Sequence, residues 1–94
     1  MHFKMENKQP HITIKLNQLG ESVILVDDYE LFDYINDYLC EERELEFESY
    51  HANNNGTNKM YEMNFGTKYS VEKLEMEIEK IDRNEILRIY NLNN

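Results

Sequence analysis

The apolar residues of this chain repeat with two different periods, and each run is closed by turn residues before the period changes. Ile12, Ile14 and Leu16 alternate with polar residues, the pattern of a half-buried strand. Asn17–Glu21 reads as a turn with Gly20 at a positive φ, and Ser22–Val26 as a β-branched strand returning on the first, covered on both faces. The period then becomes helical: Leu31, Phe32, Ile35 and Leu39 share one stripe. Asp27 is the expected cap, with Glu30 three residues on completing a capping-box spacing, and the helix fades near residues 41–43.

Alternation resumes over residues 44–50, with Leu45 and Phe47 facing in and Glu44, Glu46 and Glu48 facing out. Asn55-Gly56 carries a hairpin signal, and residues 59–65 return with Tyr61, Met63 and Phe65 on one face. Ser70 caps a second helix with the stripe Val71, Leu74, Ile78 and Ile81, and Glu79 lies four residues before Arg83 in the orientation that favours an ion pair. Residues 85–92 read as a final strand, with a short helix as the alternative. The order is ββαββαβ. It predicts a two-layer α+β domain over residues 11–94, an antiparallel or mixed sheet of about five strands with two helices packed on it, preceded by a flexible arm at residues 1–10. Leu31, Ile35, Leu39, Phe47, Phe65, Leu74, Ile78 and Leu87 are the expected shared core.

Charge is the second constraint. Of 94 residues, 19 are acidic and 10 basic, a net charge of −9. Residues 27–48 hold ten of the acids against one base, Arg43, while the rest of the chain balances nine against nine. The net charge therefore lies entirely in that segment. An acidic balance argues against direct binding of nucleic acid or an anionic membrane. No apolar run reaches the length of a membrane span, and no signal peptide opens the chain, so the expected location is the cytoplasm of a bacterial host cell. The lone Cys40 excludes an intrachain disulfide framework.

Enzyme signatures are sparse. The three glycines, Gly20, Gly56 and Gly66, are scattered among turns rather than gathered in a phosphate loop. His2, His11 and His51 sit at no metal-ligand spacing, so neither catalytic residues, a metal nor a cofactor is expected. Asn55-Gly56-Thr57 matches a glycosylation sequon, but turn geometry accounts for Asn-Gly.

The acids do form a pattern. Glu30, Asp33, Asp37 and Glu41 recur at helical spacing along one face, bordered by Tyr34 and Tyr38, and Glu44, Glu46 and Glu48 extend the row. In sign and regularity such a row resembles the phosphates of a nucleic acid strand, which a basic groove attracts. These nine residues are the expected partner-binding surface. The expected role is that of a small inhibitor that covers the nucleic-acid-binding groove of a larger protein, as phage anti-defence proteins such as anti-CRISPRs do. The alternatives are an immunity protein that neutralises a nuclease toxin, or an assembly module that dimerises through a sheet edge or the second helix. A monomer or homodimer fits each.

Overall fold

A computed structural model describes residues 9–55 and 58–92. Four strands, β1 (Ile12–Leu16), β2 (Ser22–Val26), β3 (Ser49–Asn55) and β4 (Asn58–Asn64), form one antiparallel sheet in the order β1-β2-β4-β3. Three helices, α1 (Tyr29–Asp37), α2 (Val71–Glu79) and α3 (Arg83–Leu92), complete an α+β domain. No helix among the described residues is long and apolar enough to cross a membrane.

The register sets the core. Ile14 lies opposite Ile24, and Ile24 opposite Met63, so their side chains share a face. Ile12, Val26 and Phe65 join them, and Leu31, Ile35 and Leu39 of the first helical segment close over them with Leu74 and Ile78 of α2. The turn before β2 needs Gly20 at φ 80°, where a side chain would be strained. Seven of the eight expected core residues belong to this cluster, Phe47 at its margin.

The eighth, Leu87, is only half-buried, because residues 83–92 are helical rather than extended. Asp82 starts that helix. Its carboxylate accepts from the Asn84 N–H at 2.9 Å, and its carbonyl accepts from the Glu85 and Ile86 N–H groups. Helical spacing then buries Ile86 and Ile89, one turn apart, and packs α3 against α1. The sheet therefore has four strands, and three helices replace the expected two. The same break removes the expected Glu79–Arg83 spacing, since α2 ends at Glu79 and α3 starts at Arg83.

Two other elements differ from the sequence reading. The cap of α1 is Asp28, whose extended backbone lets its carboxylate accept from the Leu31 N–H at 3.0 Å. Asp27 turns instead toward the His11 imidazole at 3.4 Å, so Glu30 is not at the capping-box position. And β3 begins at Ser49, not Glu44. Beyond α1 the chain makes a π-helical turn, Tyr38–Glu42, in which the Arg43 N–H donates to the Tyr38 carbonyl. Glu44 then takes a left-handed conformation, φ 60°, and the Leu45 N–H reaches back to the Leu39 carbonyl at 2.8 Å. Leu45 is buried and Phe47 half-buried, so the alternation is real, but it belongs to a loop laid over the core. Backbone pairing with β4 resumes where the Glu48 N–H donates to the Asn64 carbonyl. In the hairpin, Asn55 lies opposite Asn58; of the expected Asn55-Gly56 tip, Gly56 lies outside the described residues.

One buried carboxylate ties this loop to α2. The Glu77 side chain is 3% exposed. It accepts from Arg43 Nε at 2.6 Å and from Lys73 Nζ at 2.9 Å, with Lys80 Nζ at 3.6 Å. Hydrogen bonds from Lys73 and Arg43 hold its carboxyl down at about 2, against an ordinary value of 4.5. One pKa unit is about 1.4 kcal/mol, so the depression contributes at most about 3.5 kcal/mol, less where solvent screens the half-exposed lysines. At residue 9, the Gln9 amide donates to the Ile78 and Ile81 carbonyls at the end of α2. Residues 1–8 of the expected arm lie outside the described residues.

Two outcomes check this architecture. Ile86→Ala should cost about 2–5 kcal/mol in urea denaturation, and Leu87→Ala clearly less; the reverse ranking would restore the strand. The folded-state pKa of Glu77 is depressed, so its stabilisation is complete above about pH 4.5 and is lost as pH falls toward about 2. Glu77→Gln should therefore be less stable than wild type at pH 7, with the gap closing over that window. A gap that stays constant would mean the carboxylate charge is not what holds the loop.

Candidate acidic interface

The expected partner-binding residues fall into three groups. Glu30, Asp33 and Asp37 are exposed on α1, opposite its buried stripe of Leu31, Phe32 and Ile35, and Glu41 is exposed on the π-helical turn. Among the described residues, none of these four carboxylates lies within ion-pair distance of a base. Arg43, the one base in the acidic segment, is bound to Glu77. Among the described residues, the row on α1 is left without a basic partner.

The second group is the loop. Glu44 and Glu46 are exposed, and Glu46 meets Lys68 at 3.4 Å, an exposed pair of little energetic weight. Glu48 turns away. Its carboxylate lies over Gly66, where a Cβ would come within 2.6 Å of it, and Gly66 itself sits at φ 62°. The expected even row of Glu44, Glu46 and Glu48 on a sheet face does not form, because these residues precede β3.

The helix and the loop meet at Cys40. Its thiol is pushed up first by burial, then by the carboxylates of Asp37, Glu41 and Glu46. Glu46 thus contributes to the same local field as the helix acids, across the turn made by residues 38–45. The Cys40 thiol also donates to the Asn36 side-chain oxygen at 3.3 Å.

Tyr34 and Tyr38 form the third group. Both are half-buried and packed against the core. Burial pushes both phenols up; Glu85 and Glu42 add to the effect at Tyr34, whereas Arg43 opposes it at Tyr38. Their rings border the acidic row, but much of their area is spent on packing.

The sequence reading missed the aromatic surface on the other flank. Tyr29 and Tyr50 are 55% and 60% exposed. Both rings meet Phe32, with centroids 6.4 and 5.9 Å away, and Tyr61 lies 5.6 Å from Tyr29. Phe47 continues the chain of rings at 5.7 Å from Tyr50. The i,i+3 spacing of Tyr29 and Phe32 is visible in the sequence, but the arrival of Tyr50 depends on the β3–β4 register.

Elsewhere, an open depression of about 370 Å³ is lined by Leu25, His51, Ala52, Met60 and Glu62. Among the described residues, no group of three His, Cys, Asp or Glu side chains could hold a metal ion. No protein-family model matches the chain, and comparison with curated proteins and with solved structures returned no match.

The convergence at Cys40 can be measured by alkylation of the native protein with iodoacetamide. The thiolate is the nucleophile, so a thiol pushed up by carboxylates reacts slowly at neutral pH. Glu46→Gln should react faster than wild type, and added salt should narrow the difference. Equal rates at low salt would separate the loop acid from the helix acids.

Proposed function

We propose that this chain is a small inhibitor whose acidic face covers the basic nucleic-acid-binding groove of a larger protein, in the manner of phage anti-defence proteins such as anti-CRISPRs. The observation that carries the reading is the excess negative charge of residues 27–48, whose one base, Arg43, is bound to Glu77, while Glu30, Asp33, Asp37 and Glu41 meet no base among the described residues. Carboxylates one turn apart on a helix repel one another and lower its stability. A surface that retains such repulsion gains most from a partner that supplies positive charge. Electrostatic attraction of this kind speeds encounter and selects basic partners. The proposal treats the protein as a stoichiometric binder, not an enzyme, acting inside a bacterial cell where such grooves are found.

Charge reversal tests it. Asp33→Lys/Asp37→Lys changes exposed positions, so the thermal melt should stay close to wild type. Close interfacial charge pairs couple by roughly 1.5–7 kcal/mol, so two reversals should weaken partner binding by at least about a hundredfold. The control, Glu72→Lys/Glu75→Lys on α2, should change it little. If the control pair abolishes binding and the α1 pair does not, the acidic helix is only a solvated face and the mimic reading fails.

A further inference from the structure

We propose that the partner surface recognised by this face presents arginine rather than lysine, and that Tyr29 and Tyr50 make the distinction. This rests on the acidic face being the binding surface, and it adds the chemistry of the partner. Tyr29 and Tyr50 are both exposed, yet both rings touch Phe32, which is 6% exposed and packed in the core. Tyr61 meets Tyr29 in an edge-on contact, which further limits that ring. The two phenols are therefore exposed and supported, a combination that costs little entropy when a ligand stacks on them.

A carboxylate neighbours Tyr29 on the helix. Asp33 is exposed and lies four residues after Tyr29 on α1, about one helical turn along the same face. A planar guanidinium stacks on an aromatic face while its N–H donors fork to a carboxylate. An ammonium is a more strongly hydrated point charge without a stacking plane. An acidic row alone attracts both cations, whereas tyrosine faces beside it favour arginine. The inferred occupant is an arginine-bearing segment of a basic protein surface, its guanidinium on Tyr29 or Tyr50 and, at Tyr29, its N–H donors on Asp33.

The test compares two peptides of equal length and charge, one alternating arginine and serine and the other lysine and serine. Their binding to the full chain is read by fluorescence anisotropy at low salt. Wild type should bind the arginine peptide about tenfold more tightly, a difference of about 1.4 kcal/mol. Tyr29→Ser/Tyr50→Ser should bind both at the level of the lysine peptide, and Tyr29→Phe/Tyr50→Phe should keep the preference. Circular dichroism melts of each variant confirm folding. Equal binding of both peptides by wild type, abolished by Asp33→Lys/Asp37→Lys, would overturn the arginine inference and leave the acidic-face reading standing. A preference that survives in the serine variant would also overturn it. Binding of neither peptide by wild type would overturn both.

Discussion

One buried carboxylate, Glu77, organises the loop that follows α1. Glu77 sits on α2 but reaches Arg43, which follows the π-helical turn, and it gathers Lys73 and Lys80 around the same oxygens. Burying an ion is costly unless its charge is matched and its lone pairs are satisfied, and here both conditions are met. The consequence is twofold. The loop after α1 is tied to the second helix, and the only base in residues 27–48 is spent on an internal contact. The field of the acidic face follows from where that arginine goes.

The backbone between residues 38 and 45 serves the same arrangement. A π-helical turn widens the end of the first helical segment, and a left-handed Glu44 reverses the chain so that Leu45 drops back beside Leu39. Glycine is the usual residue at such a reversal, because a side chain there costs about 1–2 kcal/mol. The Glu44 conformation and the repulsion along α1 both oppose stability, and both lie in the acidic segment. The apolar cluster beneath, with Leu31, Ile35, Leu39, Met63 and Phe65 fully buried, supplies what these features cost.

Much of this was legible in the sequence, for local reasons. β1, β2 and their turn followed from alternation and Gly20; α2 followed from Ser70 and a clean stripe of apolar residues. The failures came where one pattern had two readings. Leu45 and Phe47 do point inward, but alternation records which side chains face the core, not whether the backbone finds a ladder partner. Residues 85–92 carry apolar residues at 86, 87, 89, 90 and 92, compatible with either period, and the Asp82 cap with the packing of α3 on α1 decides for a helix. The carboxylates of α1 were placed correctly on an exposed face because helical spacing is local. Tyr34 and Tyr38 are half-buried against the core as well as beside the acidic row, a packing that helical spacing alone does not reveal. Tyr29 and Tyr50 were missed because only the sheet register brings their rings to Phe32.

A nucleic-acid mimic must occupy the same groove that its partner uses for nucleic acid. The direct measurement is competition. Proteins retained from a bacterial host lysate on the immobilised chain at low salt are challenged with a short duplex DNA or a structured RNA, and release is followed against concentration. The mimic reading predicts that the retained protein binds nucleic acid, leaves the column as competitor is added, and leaves also as salt rises. A partner that stays bound at high salt and is indifferent to saturating nucleic acid would contradict it.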